Sequence, residues 1–296
     1  MPRKVIVACN EHPEGEDALE LCQQLAGALD ATAQVAIVVR HAGHGVGGNQ
    51  LDAAVSEFCD PIFARARERL DGLRVLERPL TGRSRSRAIY ELAVEEEENP
   101  TELIVLGSTR RGPVGRVLLG TLGDSLVSGA PCAVAVAPRG YAGRDRGLKR
   151  IGVAIDGSAE SWRALSAGSA LATSLGVPLK LLSAVDPPPY VVGGLLSDLN
   201  RDEYQKEEVR QTERLLDEAA ERAPAEVQVE RAVLNGSPAE ALAEAGEDLD
   251  LLIMGSRGYG PITHTVLGGV SAKLMTSAPC PLMVVARGAG LHPLGE

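Results

Sequence analysis

The sequence predicts an α/β protein made of two tandem copies of one doubly wound domain. Three observations support this prediction: an internal repeat, an alternation of β-branched strand runs with helix-period segments, and an aliphatic composition. Of the 296 residues 44% are hydrophobic but only 3% are aromatic, so the core must be built from Ala, Val, Leu and Ile. This length suits two ordinary domains.

The repeat is visible in two separate segments of each half. VIVACNEHPEGEDALELCQQLAGAL resembles IGVAIDGSAESWRALSAGSALATSL at an offset of 146 positions, which puts Asn10 opposite Asp156. Further on, LGSTRRGPVGRVLLGTLGDSLVSGAPC aligns without a gap with MGSRGYGPITHTVLGGVSAKLMTSAPC at an offset of 148. Two matches at nearly one offset indicate a duplication. We expect domains at 1–140 and 148–296, joined by the Gly- and Arg-rich stretch PRGYAGRDRG.

Each half alternates strands with helices, and the second half shows the pattern in full. We expect strands over 149–155, 178–185, 226–234, 249–255 and 281–286. We expect helices over 158–175, 198–222, 237–246 and 268–277. Apolar strands that alternate with helices imply a parallel sheet covered on both faces, with right-handed crossovers. The prediction for each half is a five-stranded parallel sheet in the order 3-2-1-4-5, with helices on both faces.

Charge and cysteine content narrow the class of protein. The net charge of -10 and the pI of about 5.1 argue against binding to nucleic acid, whose phosphates need a basic surface. No apolar run is long enough to span a membrane. Five scattered cysteines without a CxxC pattern are typical of reduced thiols, so we expect a cytoplasmic protein. No cluster of histidines, cysteines or acids has metal-ligand spacing.

Candidate binding residues follow the predicted strands of the second half. Ligands of doubly wound sheets bind beyond the carboxyl ends of the strands. The first strand ends at Asp156, the second at Val185 and the fourth at Gly255, while Gly236 follows the third. Asp156 has two open interpretations: it caps or turns the chain before the next helix, or it accepts a hydrogen bond from a ribose hydroxyl or an amino group.

A glycine-rich stretch leaves the fourth strand and opens the last helix. Gly255 and Gly258 leave no side chain to hold a ligand off the backbone. Gly268 and Gly269 begin the helix, whose free amides and dipole suit an anion, and Ser271 adds a hydroxyl. The alternative is that these glycines only turn the chain and cap the helix. Their number after a single strand favours a ligand site.

These residues resemble a motif of the universal stress protein family, G-x2-G-x9-G-(S/T) after a strand. Here Gly255 and Gly258 are followed by nine residues and then by Gly268 and Gly269. The segments VAIDGS and SAPCPLMVV are also similar to the family, and the resemblance covers both halves. It implies a five-stranded α/β domain that binds ATP in one branch of the family and no nucleotide in another.

The resemblance also implies pairing through the last strand of each domain. In a tandem chain the two halves can make this pairing internally, strand 132–137 with strand 281–286, as a pseudo-dimer. Whether the chain dimerises again stays open.

By resemblance, the adenosine end belongs to Asp156 and the backbone of Val185. The resemblance places Gly255, Arg257 and Gly258 near the ribose and phosphates. It places Gly268, Gly269, Val270 and Ser271 around the phosphates, with or without a magnesium ion. Gly269 stands where the family usually has Ser or Thr, so a hydroxyl contact worth roughly 1.5–3 kcal/mol is missing. Arg257 either compensates as a phosphate partner or is a solvated surface residue.

The first half departs further from the motif. Asn10 replaces the acid, Arg110 replaces the second glycine and Gly123 replaces the serine, while Thr121 keeps a hydroxyl. Arg110 either fills the pocket or binds a phosphate in a changed pose. We expect the first half to bind nucleotide weakly or not at all.

Two functions therefore compete. The first is an ATP-binding stress-response regulator that acts on an unknown protein partner. The second is an interaction module in which the glycine stretch is structural only. An enzyme is less supported, because no Ser-His-Asp order, no paired acids and no SGGxDS-like run after the first strand occur in the sequence. At most weak ATP hydrolysis is expected.

Overall fold

The computed structural model describes residues 3–40, 48–95, 100–144, 147–186, 198–256 and 269–285. The strands in these ranges are β1 (Arg3–Ala8), β2 (Ala31–Arg40), β3 (Val75–Gly82), β4 (Thr101–Gly107), β5 (Ala133–Ala137), β6 (Ile151–Ala154), β7 (Leu179–Val185), β8 (Val229–Asn235), β9 (Leu251–Gly255) and β10 (Leu282–Val285). The α-helices are α1 (Pro13–Ala28), α2 (Gly48–Arg69), α3 (Arg85–Ala93), α4 (Thr121–Gly129), α5 (Ala159–Leu175), α6 (Asp198–Arg222), α7 (Pro238–Ala245) and α8 (Gly269–Leu274).

All ten strands form one continuous sheet in the order β3-β2-β1-β4-β5-β10-β9-β6-β7-β8. Within each half the neighbouring strands are parallel and follow the order 3-2-1-4-5, which confirms the predicted topology. The halves meet where β5 and β10 pair antiparallel, with Met283 opposite Ala135. Each last strand thus covers the edge that its partner would otherwise expose. The pseudo-dimer implied by the family resemblance is therefore present within one chain.

Eight of the ten strands carry runs of buried residues, as a parallel sheet between two helical layers requires, whereas the edge strands β3 and β8 contain no buried residue. In β1, Val5 and Val7 join one apolar cluster while Ile6 between them joins the other. The first cluster takes side chains from α1, α2, α5 and α6, and the second from α3, α4, α7 and α8. Both clusters run through the two halves. The predicted coverage of both faces is confirmed.

Helix boundaries follow local sequence chemistry. Pro13 and Pro238 open α1 and α7, where a missing N–H costs nothing. Ser158 caps α5, because its side chain accepts a hydrogen bond from the Ser161 amide. Gly176 ends the same helix with φ +63°, a conformation that disfavours other residues. No helix in the described part of the chain is both long and apolar enough to cross a bilayer.

The connector between the halves is fastened to α1. The carboxylate of Asp17 accepts hydrogen bonds from the amides of Gly140 and Ala142, both at 2.8 Å. Tyr141 between them is buried, and its hydroxyl donates to Gln24 Oε1 at 2.7 Å. Burial raises the pKa of Asp17 above its ordinary value, an effect that the amide hydrogen bonds partly oppose. A segment that composition marks only as a linker is therefore part of the first domain's packing.

Candidate functional site

A cavity of about 270 Å³ lies at the carboxyl edge of the second half of the sheet. The ends of β6, β7 and β9 form its floor, and the starts of α5, α7 and α8 form its walls. The lining residues are Ala154, Ile155, Asp156, Ser161, Leu182, Ser183, Ala184, Pro238, Leu242, Met254, Gly255, Gly269, Val270 and Ser271. Most of them are apolar, and the polar ones are Asp156 and three buried serines, a composition typical of small-molecule sites.

Asp156 lines this cavity and also holds the turn before α5. Its Oδ1 accepts hydrogen bonds from the Ser158 amide, at 3.0 Å, and from the Ser158 hydroxyl. Asn10 has the same role in the first half, where its Oδ1 accepts from the His12 amide at 3.0 Å. The side chain at this repeat position therefore stabilises a turn in both halves. In the second half the same carboxylate also faces the cavity.

Gly255 has a packing reason to be glycine. A Cβ at this position would come within 2.5 Å of the Glu160 carbonyl carbon, because α5 begins directly against the end of β9. Its counterpart Gly107 meets the backbone of Glu14 in the same way. A side chain at either position would push a helix away from the sheet. This glycine is explained without a ligand, although Gly255 also lines the cavity.

The first turn of α8 forms one wall of the cavity. Gly269 is exposed, and a Cβ added there would meet no described atom within 4 Å. Val270 is half-buried and Ser271 is 2% exposed, and both line the cavity. The first amides of a helix lack acceptors within the helix, so this turn offers hydrogen-bond donors.

The other predicted site residues are not among the described residues that line the cavity. Val185 is buried at the end of β7, where its carbonyl accepts from the Gly236 amide at 3.0 Å. Gly236 has φ +118°, so it turns the chain after β8. Neither residue is among those that line the cavity. Arg257, Gly258 and Gly268 lie outside the described residues.

Several lining residues were missed from the sequence. Ser183 is 7% exposed on β7, and Leu182, Pro238 and Leu242 supply apolar surface. A serine within the buried run LKLLSAV was a usable signal, because a polar residue near the end of a central strand often faces a site. The apolar residues carried no such signal, since they look like ordinary core positions.

The first half has a larger cavity, of about 530 Å³, at the same edge of the sheet. Asn10, Gly107, Gly120, Thr121 and Gly123 line it, as the repeat predicts. Arg110 is not among its lining residues. Its side chain is 59% exposed, and its Nε lies 3.5 Å from Glu14 Oε1. Arg110 therefore does not fill this cavity, and its guanidinium pairs with a carboxylate that lines it.

All five cysteines are buried with free thiols. Burial raises the pKa of Cys9, Cys132 and Cys280 to about 12. Thiols with such a pKa are poor nucleophiles at neutral pH, so these cysteines belong to the core rather than to a site.

Comparisons with known proteins bear on the same architecture. The model of the universal stress protein family matches residues 1–138 and 147–286. A universal stress protein of Mycobacterium tuberculosis is 25% identical over 286 residues, which cover 92% of this chain and 95% of that protein. A second one from this organism is 35% identical over 191 residues, which cover 64% of this chain and only 63% of that relative. The solved structure of a universal stress protein from Archaeoglobus fulgidus matches this structure with a TM-score of 0.71 and 18% sequence identity. The match covers 96% of this chain and 98% of that one, so the two proteins share a fold.

Proposed function

This chain belongs to the universal stress protein family, and from that premise we propose that it is a stress-response regulator that binds ATP in its second half. The observation that carries the proposal is the cavity at the carboxyl edge of the second sheet. Its lining combines apolar side chains with Asp156 and with the first turn of α8.

The lining residues suit the two ends of an adenine nucleotide. Leu182, Leu242 and Met254 offer apolar surface to a base, and Asp156 offers a carboxylate oxygen to ribose hydroxyls. The amides at Gly269 and Val270 suit phosphate oxygens. Val185, Gly236, Gly255, Arg257, Gly258, Gly268 and Ser271 complete the proposed set. A magnesium ion can accompany the nucleotide, because the phosphates of ATP are negatively charged.

The two halves of the chain differ in their proposed affinity for nucleotide. Residues 148–296 carry the more complete nucleotide site, and residues 1–140 carry a degenerate site that binds nucleotide weakly or not at all. Nucleotide binding then changes the affinity for a protein partner in the cytoplasm, with little or no hydrolysis. A second chain can join through a surface outside the β5–β10 pairing.

One observation favours the alternative, an interaction module without nucleotide. Gly255 is needed to let α5 pack, and Asp156 holds a turn that Asn10 holds in the first half. Both residues would therefore persist in a chain that never binds ATP.

The deciding experiment starts with purified full-length protein. Acid denaturation and chromatography of the supernatant should release ATP, ADP or AMP, and millimolar Mg-ATP should raise the melting temperature. Replacement of Gly269 by Asp puts a negative charge beside the proposed phosphates at an open position, and it should abolish the shift. Gly129→Asp, at an equally open position that ends α4, is the matched control and should keep it. Absence of both bound nucleotide and thermal shift in the wild type overturns the proposal.

A further inference from the structure

The cavity of the first half differs in charge from that of the second. Three arginines line it: Arg40, the last residue of β2, Arg83, which follows β3, and Arg85, the first residue of α3. The second-half cavity has no lysine or arginine among its described lining residues, and Asp156 is its charged group. Among the described lining residues, the two copies of the fold therefore differ in the sign of their charge at the same edge of the sheet.

These three arginines, here called the arginine cluster, lack carboxylate partners among the described residues. Nearby arginines are paired: Arg87 Nε lies 2.8 Å from Glu91 Oε1, and Arg110 pairs with Glu14. Glu14 is the acid that lines the cavity, and Arg110 already offsets its charge. Within the described lining of this cleft the arginine cluster is thus an excess of positive charge, in a chain whose net charge is -10.

The start of α3 adds to this positive potential. The first turn of the helix holds no acidic residue, and Arg85 occupies its first position. A cation there opposes the helix dipole, which favours negative charge at a helix N-terminus. Like charges gathered in one cleft focus the field and attract counter-ions from solution. A bound anion relieves both repulsions.

The arginine cluster is not inherited from the proposed nucleotide site. In the strand register Val39 pairs with Thr81, as Val185 pairs with Asn235, so Arg40 takes the place of Asp186. The start of α7 has Pro238 where α3 begins with Arg85. The positive charge therefore comes from the ends of β2 and β3 and not from the glycine stretch that follows β4, although both line the cavity.

We infer that the first-half cleft binds a small molecule with two or more phosphate groups, held by Arg40, Arg83 and Arg85. Guanidinium groups bind phosphate through paired, charge-assisted hydrogen bonds, and several of them suit a multiply charged ligand better than a single charge. The hydroxyls of Ser86 and Thr121 line the same cavity and can donate further hydrogen bonds. This site is independent of ATP binding in the second half.

Inorganic pyrophosphate is the probe that tests this site. Isothermal titration calorimetry uses the full chain at low ionic strength without magnesium, and every variant carries Gly269→Asp so that the second half cannot contribute. The test variant adds Arg83→Gln and Arg85→Gln. The matched control adds Arg87→Gln, on the same helix but paired with Glu91 and not lining the cavity. Circular dichroism checks that each variant is folded.

We expect the Gly269→Asp background to bind one pyrophosphate per chain. The double variant should weaken this binding at least tenfold, and the Arg87→Gln control should stay within twofold of the background. Affinity should fall as salt rises, because the contacts are charged. No binding by the background overturns the inference, as does equal loss in the test and control variants. Neither outcome bears on ATP binding in the second half, which is measured separately without Gly269→Asp.

Discussion

Replacing Gly269 by Ser is the sharpest test of the proposed nucleotide site. The family motif usually has Ser or Thr here, and this chain lacks that hydroxyl. The structure leaves room for it, because a Cβ at Gly269 meets no described atom within 4 Å. Gly269 is the exposed first residue of α8, and a helix interior disfavours glycine more than serine. The substitution therefore adds one hydroxyl beside the proposed phosphates at little structural cost.

The expected gain follows from the energy of a hydrogen bond to a charged group. Such a bond contributes roughly 1.5–3 kcal/mol, of which ordering the serine rotamer consumes a few tenths. Since about 1.4 kcal/mol corresponds to a factor of ten, the Kd for ATP should fall about 10- to 100-fold. Gly269→Ala adds the same Cβ without the hydroxyl. It should leave the Kd within about twofold of wild type, and so isolates the hydrogen bond from backbone effects.

The assay is calorimetric titration of the full chain with Mg-ATP, at one salt concentration and for all three proteins. Adenosine serves as a second ligand, because it lacks phosphates and its affinity should be the same for the serine and alanine variants. If serine and alanine bind ATP equally, the phosphates do not lie at the start of α8. If serine also tightens adenosine binding, the gain comes from the helix and not from a phosphate contact.

Three further predictions concern stability and pH. Gly255→Ala should lower the free energy of unfolding by about 1–3 kcal/mol, because the added methyl group overlaps the Glu160 backbone. Gly269→Ala is the control and should leave the free energy of unfolding unchanged. Equal denaturant unfolding curves for the two variants would contradict the packing argument. Asp17→Ala should cost about 1–3 kcal/mol for each connector amide that it leaves unpaired, and should lower the melting temperature more than the exposed Asp71→Ala. Stability should also fall as pH rises from about 9 to about 12. In the folded state the buried thiols of Cys9, Cys132 and Cys280 have a pKa of about 12, whereas unfolded thiols ionise near 9.0. Between these two pH values the unfolded state loses protons that the folded state keeps. The free energy of unfolding therefore drops by up to about 1.4 kcal/mol per pH unit for each thiol. Denaturant unfolding at pH 8 and pH 10.5 checks the slope, which must be shallower in Cys132→Ala.

Much of the candidate site followed from its position in the chain. Asp156, Gly255 and Ser271 were expected at one edge of the sheet, because the carboxyl ends of parallel strands always meet there. They do lie around one cavity. The sequence could not reveal that Asp156 shares its Oδ1 with Ser158, or that Gly255 touches the backbone of Glu160. Such contacts depend on how closely a helix approaches a strand.

In the first half, the position of the Arg110 side chain could not be predicted from the sequence either. Its place in the motif suggested a role inside the pocket, but an ion pair with Glu14, nearly 100 residues away, holds its side chain elsewhere. The arginine cluster was missed for a related reason. Arg40 and Arg85 lie far apart in sequence, and only the pairing of β2 with β3 brings them to one cleft.

The duplication, the alternation of strands and helices, and the edge of the sheet where ligands should bind can all be predicted from the amino-acid sequence alone. These features rest on local periodicity and on rules of parallel sheets, which hold whatever the detailed packing is. The three-dimensional arrangement was needed to show that Gly255 serves packing while Gly269 is exposed, and that the described linings of the two clefts differ in charge. Those outcomes depend on distances between residues remote in the chain, and close packing sets these distances to a fraction of an ångström.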